Sequence, residues 1–147
     1  MILMLGDVHG DVRHLLSVIK AEEPDAIIFL GDIESPIPFE EFIADLAVFT
    51  EVWWIHGNHD TDSRESYSNL FESALAGRNL HGRVVDIAGL RVAGLGGGVS
   101  RPDLVPARES VLSLFRRVGR QQIQAQEGVD RGGAGSPQIP DSFAGGG

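Results

Sequence analysis

Three short motifs carry side chains that could hold a metal ion. They read Gly6-Asp7-Val8-His9, Gly31-Asp32 and Gly57-Asn58-His59-Asp60. Oxygen and imidazole donors of this kind suit Mn²⁺, Fe, Zn²⁺ or Mg²⁺ rather than soft metals. Asp7 and His9 are two residues apart, so in an extended segment both side chains would point the same way and could bind one cation. The glycine in each motif would let backbone and ion approach closely.

Each motif taken singly also has an ordinary structural interpretation. Turns rich in Asp and Gly are common, and an Asp that follows a strand often caps the next helix. The third motif is more specific, because four consecutive polar turn residues seldom include a histidine such as His59 by chance. The three motifs together, at successive strand ends, favour a functional site over three unrelated turns.

The elements that must position these motifs are three short apolar runs. Residues 2–5, 26–30 and 52–55 have the pattern of strands buried on both faces. Helical apolar stripes lie between and after them, at residues 12–19, 39–46 and 67–74. Alternating strands and helices predict an α/β fold with a parallel sheet, in which ligands bind beyond the carboxyl ends of the strands. All three motifs should therefore meet at one edge.

Local signals predict where the helices begin and end. Asp11 is the expected N-cap of the first helix, and Pro24 should stop it. Asp62 or Ser63 should cap the helix that follows the third motif, and Gly77 suits its C′ position. Trp53 and Trp54 are adjacent in a strand, so they should pack on its opposite faces.

The pattern changes after the third helix. Residues 84–87 and 90–93 flank Ala88-Gly89 and predict a β-hairpin, which is followed by a glycine-rich loop at 94–98. A further helix is predicted from Pro106. Beyond residue 118 the sequence is rich in Gly, Gln, Ser and Pro, which is typical of disorder. We therefore expect a domain over 1–118 and a low-complexity tail over 119–147.

Composition excludes several classes of function. The chain has no cysteine, so thiolate chemistry and disulfides are absent. A net charge of -9 argues against non-specific binding of nucleic acid. The apolar start lacks the basic residues of a signal peptide, and no run approaches the roughly 18 apolar residues of a membrane helix. We expect a soluble cytoplasmic protein with no membrane partner.

The motifs GDVHG, GD and GNHD resemble the first three signatures of the calcineurin-like metallophosphoesterases. The resemblance extends over about residues 1 to 115, including the stretch GLRVAGLGGG. It implies an α/β fold, a β-sandwich with flanking helices, and a hydrolase that cleaves a phosphoester or phosphoanhydride with two divalent metal ions. The substrate would then be a phosphorylated compound.

The resemblance also implies a role for each matching residue. Asp7 and His9 would bind the first metal, Asp32 would bridge both metals, and Asn58 would bind the second. His59 would contact the substrate phosphate and help to protonate the leaving oxygen, with Asp60 orienting its imidazole. Substrate binding would involve Asn58 and His59, and Arg64 is a further candidate for contact with an anionic substrate.

The sequence departs from the family pattern near its C-terminus. The family has a histidine after a later strand and then a Gly-His-x-His motif, and neither is present. The other histidines are expected to be solvated (His14), structural (His56) or at best a poor substitute ligand (His81). We therefore expect a fold that is incomplete on its C-terminal side, through truncation, frame-shift or natural loss, and exposed apolar faces that favour self-association.

Two alternatives to an active hydrolase remain open. One is a catalytically silent remnant of the family that binds metal weakly, or binds only a partner. The other is a nucleotide cradle at residues 94–98, although this stretch lacks the Lys-Ser/Thr of a P-loop and the third glycine of a dinucleotide fingerprint. An ordinary loop is the favoured interpretation of that segment.

Overall fold

Three parallel strands form the sheet that carries the motifs. The computed structural model describes residues 1–98, and it contains β1 (Ile2–Leu5), β2 (Ala26–Leu30) and β3 (Glu51–Ile55) in the spatial order β1-β2-β3. The three predicted strands are confirmed, with β3 beginning one residue earlier than expected. In register, Met4 pairs with Ile28 and Ile28 with Trp53. Because all three strands run in one direction, their carboxyl ends lie at the same edge.

The two faces of the sheet are buried in two separate cores. In β2, Ile27 and Phe29 belong to one core, and Ala26 and Ile28 belong to the other. This alternation follows from the pleat, which sends successive side chains to opposite faces. Neighbouring tryptophans in β3 follow the same rule, since Trp54 joins the first core and Trp53 the second.

Helices cover the first face. They are α1 (Leu15–Glu22), α2 (Phe39–Phe42), α3 (Ala44–Ala47) and α4 (Arg64–Phe71). Trp54 is fully buried at the centre of this core, with its ring edge-on to those of Phe39 and Phe71 at centroid distances of 5.9 and 5.2 Å. Its indole Nε1 donates to the Leu75 carbonyl at 2.8 Å, so the ring is buried without a lost hydrogen bond.

A β-hairpin covers part of the second face. Strands β4 (Val84–Ile87) and β5 (Leu90–Ala93) pair antiparallel, as predicted. Ile87 is fully buried and shares a core with Trp53, and Leu80 adds to the same cluster. The described residues therefore form an α/β fold in which helices lie on one face of the parallel sheet and a small second sheet lies on the other.

Two predicted features of the elements are wrong. Strand β1 is not buried on both faces: Met4 is 64% exposed, because it shares the second face of the sheet with Ile28, and among residues 1–98 the hairpin covers only part of that face. The helical stripe over 39–46 is two short helices rather than one. Ile43 interrupts it with φ -107° and ψ 13°, a backbone outside the helical region, while its side chain stays buried in the first core.

Helix termini also differ from the expected ones. Asp11 does not cap α1, which begins at Leu15; its carboxylate instead accepts the backbone and side-chain N–H groups of Arg13, at 3.0 and 2.9 Å. These bonds hold the pKa of Asp11 well below its usual range. Gly77 is not the C′ residue of α4, which ends at Phe71.

One predicted cap is confirmed. The Ser63 hydroxyl accepts the Ser66 amide at 2.9 Å at the start of α4, which satisfies one of the free amides of the first turn. Three other predictions lie outside the described residues: the helix from Pro106, the domain boundary at 118 and the disordered tail over 119–147. Among residues 1–98, no helix is long and apolar enough to cross a membrane.

The hairpin turn yields a prediction for stability. Ala88 and Gly89 have φ values of 48° and 78°, the left-handed pair that a type I′ turn requires. Alanine is unfavourable there by about 1 kcal/mol, whereas asparagine tolerates this region better. Ala88→Asn should therefore raise the free energy of unfolding in urea denaturation. The control variant Ala93→Asn, which makes the same change on strand β5, should not raise the free energy of unfolding. A loss of stability in Ala88→Asn would contradict the assigned turn.

Candidate metal centre

The loops after β1 and β2 bring together three side chains that could share one metal ion. Asp7 and His9 follow β1, and Asp32 follows β2. Each offers one ligand atom, and these atoms lie within 4.8 Å of one another. Asp7 and His9 are exposed and Asp32 is half-buried. Two carboxylates and an imidazole at this spacing fit a divalent cation such as Mn²⁺ or Zn²⁺.

Backbone turns produce this convergence, and the extended geometry expected for Asp7 and His9 is wrong. Asp7, His9 and Asp32 have φ values of 51°, 43° and 48°, in the left-handed region, and Glu34 shares it with φ 48°. A left-handed residue other than glycine costs roughly 1–2 kcal/mol. Four such residues in two neighbouring loops indicate a backbone held by its surroundings, a feature that clusters at functional sites.

Hydrogen bonds between the loops hold this geometry. The His9 amide donates to the Asp32 carbonyl at 3.1 Å, and the Gly10 amide donates to the Ile33 carbonyl at 2.9 Å. The first two loops therefore stay paired beyond the ends of their strands. The Asp32 carboxylate in turn accepts the backbone amide of His59 at 3.1 Å, which adds the third loop.

Glycine is required where the second and third loops touch. A Cβ on Gly57 would lie 2.0 Å from the Asp32 carboxylate oxygen, and one on Gly31 would lie 2.7 Å from the Gly57 nitrogen. Both contacts are closer than side-chain carbon atoms tolerate. Glycine at these two positions therefore allows the two loops to pack against each other, whereas the expected approach of backbone to an ion stays a prediction. Around Gly6 the space is open.

Asp60 is the buried link between the second and third loops. It is fully buried, and its carboxylate accepts the backbone amides of Ile33, Glu34 and Gly57 at 2.7, 2.8 and 2.8 Å. Burial raises the pKa of Asp60, and the three amide donors offset part of that effect. The side chain expected to orient His59 instead holds two loops together.

Asp62 is the carboxylate that contacts His59. Its Oδ2 lies 2.8 Å from His59 Nδ1, and this contact raises the pKa of the half-exposed imidazole. The family resemblance assigns this contact to Asp60, whose carboxylate here accepts backbone amides instead. The His59 ring lies 6.0 Å from the His9 ring, centroid to centroid, so the third motif does reach the candidate centre.

Glu34 makes the matching contact with His9. Its Oε1 lies 2.5 Å from His9 Nδ1, and this bond raises the pKa of His9. Both side chains are about half exposed, so solvent screens the pair and its contribution to stability is small. That gain is smaller than the cost of the left-handed backbone at Glu34.

The remaining candidates lie around this centre. Asn58 is exposed, and its backbone carbonyl accepts the Thr61 backbone amide at 3.2 Å. Arg64 is exposed at the first position of α4. The glycine-rich loop lies beside the third motif, where a Cβ on Gly97 would lie 3.5 Å from the Gly57 Cα.

The other three histidines lie outside the group of potential ligands. His14 is exposed before α1, as expected. His56 is 3% exposed and packs between the rings of Phe71 and His81, at 5.3 and 4.8 Å. The Nδ1 of His81 accepts the Gly96 amide at 2.8 Å, which gives it a role in holding the glycine-rich loop.

Sequence reasoning missed Glu34 and Asp62. Asp62 is three residues after His59, a spacing that brings side chains together in a helical turn, but the sequence pattern predicts it only as a helix cap. No short sequence spacing links Glu34 to His9 in the same way. Its contact with His9 spans 25 positions and depends on the register between β1 and β2.

The buried carboxylate of Asp60 generates a prediction for stability. Asp60→Ala leaves three backbone amides without their acceptor. Each buried donor that water does not reach should lower the free energy of unfolding by roughly 1–3 kcal/mol. This loss of stability should appear as a lower midpoint of urea denaturation. Asp62→Ala, which removes an exposed carboxylate two positions away, should change stability by less than about 1 kcal/mol. Equal effects of the two variants would contradict the role of Asp60.

The raised pKa of His9 generates a second prediction. Glu34 favours the imidazolium, so this pair stabilises the metal-free fold below the ordinary histidine pKa, and the contribution is lost as pH rises through the raised value. In an NMR titration, Glu34→Gln should lower the pKa of His9. His59 should move far less, since its raised pKa comes first from Asp62. An unchanged His9 pKa would rule out the contact.

Comparison with known proteins now identifies the family. The sequence profile of the calcineurin-like phosphoesterases matches residues 1–130. An uncharacterized protein of Haemophilus influenzae is 38% identical over 133 residues, which are 90% of this chain and 57% of that relative. The chain thus spans somewhat over half the length of the curated relative it matches. No solved structure matches the chain. The chain belongs to the calcineurin-like phosphoesterase family.

Proposed function

We propose that this protein is a metal-dependent hydrolase that cleaves a phosphoester or phosphoanhydride bond with two divalent cations. The observation that carries the proposal is the meeting of Asp7, His9 and Asp32 at the carboxyl edge of the sheet, with ligand atoms within 4.8 Å. Family membership supports the same chemistry. The donor set fits Mn²⁺, Fe, Zn²⁺ or Mg²⁺ and does not distinguish among them.

Each residue would have a separate role. Asp7 and His9 would hold the first cation, Asp32 would bridge to the second, and Asn58 would bind that one. When bound, the cations supply Lewis acidity toward the phosphoryl group and toward water. His59 would donate a proton to the leaving oxygen, and Asp62 would hold its Nδ1 so that Nε2 is presented to the substrate. Arg64 is a further candidate for an anionic substrate.

The surroundings of the centre suit an anionic substrate only when cations are bound. Asp7, Asp32 and Glu34 place three carboxylates at this edge, in a chain of net charge -9. Without cations this field repels phosphate, and with them the local sign is inverted. The expected partner is therefore a phosphorylated small molecule or chain; nucleic acid and membrane surfaces are not expected. Cytoplasmic location and self-association are further parts of this proposal.

A second candidate is a family member that binds metal without turnover. It is favoured by the number of donors, since residues 1–98 offer one group of three carboxylate or imidazole ligands. Two cations of octahedral preference need many more ligands, from water or from elsewhere. Such a protein would bind one divalent cation and show no hydrolysis.

Hydrolysis of p-nitrophenyl phosphate in the presence of Mn²⁺ tests the two candidates. The wild-type protein should release p-nitrophenol, and Asp32→Ala should abolish the activity. His59→Ala should lower kcat. For an alkyl phosphate, whose leaving oxygen must be protonated, the loss should reach about 10²–10⁴-fold. For p-nitrophenyl phosphate the loss should be smaller, because p-nitrophenolate leaves without being protonated. A diester substrate assayed beside the monoester would narrow the substrate class.

Two matched variants control for loss of fold. Asp45→Ala changes an exposed aspartate on α3, and His14→Ala changes an exposed histidine before α1. Both should retain the activity and the melting temperature of the wild type. Absence of hydrolysis at saturating Mn²⁺, in a protein that still binds the cation, would favour the second candidate.

A further inference from the structure

Glu34 reaches the candidate centre from a position outside the three sequence motifs. Its Oε1 lies 2.5 Å from His9 Nδ1. Glu34 is not one of the three residues whose ligand atoms lie within 4.8 Å of one another. An imidazole binds a cation through one nitrogen only, so a bond from Glu34 to Nδ1 leaves Nε2 as the nitrogen for metal.

The backbone of Glu34 is held in place by a different loop. Its φ of 48° is unfavourable for glutamate. Its amide donates to the buried Asp60 carboxylate at 2.8 Å, and the same carboxylate binds the amides of Ile33 and Gly57. Asp60 therefore stabilises the strained backbone of Glu34, and in this conformation the Glu34 carboxylate contacts His9.

We propose that Glu34 is a positioning residue that fixes the ring and tautomer of His9 for a divalent cation held by Asp7, His9 and Asp32. The proposal rests on the metal centre of the proposed function. Carboxylates in this position make a neutral histidine donate from Nδ1 and present the lone pair of Nε2, and they raise its basicity. Loss of such a partner typically weakens metal binding about 10–100-fold.

Mn²⁺ titration calorimetry on the purified protein tests this role, using three variants. Glu34→Gly removes the carboxylate and relieves the left-handed backbone, so Mn²⁺ affinity should fall about 10–100-fold while the melting temperature does not fall. Glu34→Gln keeps an acceptor oxygen without charge and should lose less affinity. Glu41→Gln, an exposed glutamate on α2, should bind Mn²⁺ as the wild type does.

Three results would overturn the proposal. Unchanged affinity in Glu34→Gly would make the contact an ordinary surface ion pair. A loss as large as that of Asp32→Ala would make Glu34 a ligand itself. A loss of affinity together with a lower melting temperature would assign Glu34 a structural role.

The tautomer of His9 separates this proposal from the proposed function. ¹⁵N shifts of the metal-free protein at alkaline pH, where the imidazole is neutral, should show Nδ1 protonated and Nε2 bare in the wild type. Glu34→Gly should move His9 toward the tautomer mixture of a free imidazole. If the wild type binds no Mn²⁺, the proposed function fails, yet this measurement still decides whether Glu34 sets the tautomer. An unchanged tautomer in Glu34→Gly would overturn the inference.

Discussion

The buried carboxylate of Asp60 is the constraint on which the geometry of the candidate centre depends. It collects the amides of Ile33, Glu34 and Gly57 from two loops that belong to different strands. Burying a carboxylate is unfavourable, as the raised pKa of Asp60 reflects, and the three donors make this burial tolerable. Together with the bond from the His59 amide to the Asp32 carboxylate, the Asp60 carboxylate ties these two loops at the carboxyl edge of the sheet.

The backbone of the first two loops is strained beside this link. Asp7, His9, Asp32 and Glu34 all adopt the left-handed region. Local contacts do not compensate for that strain, because the ion pair of His9 and Glu34 is half exposed and worth little in water. Hydrogen bonds between the loops, and the two cores that hold the strands in register, offset the energetic cost of this backbone. The strained backbone positions the candidate metal ligands and does not add to the stability of the fold.

Much of the framework could be predicted from the sequence. The three strands, the hairpin turn at Ala88-Gly89 and the opposite packing of Trp53 and Trp54 all follow from period-two patterns and turn chemistry. The helix ends were less predictable. Asp11 has the chemistry of a cap, yet it bonds to Arg13, since several local partners compete for one carboxylate.

For the centre itself, residue types and strand order determined that Asp7, His9 and Asp32 would lie at one edge, because the carboxyl ends of parallel strands meet there. The sequence alone could not assign the partners of the two histidines. Asp60, adjacent to His59, turns into the neighbouring loop, while Asp62 and the distant Glu34 face the imidazoles. Only the tertiary structure decided these contacts, because they depend on left-handed turns and on the register between strands, which no short stretch of sequence encodes.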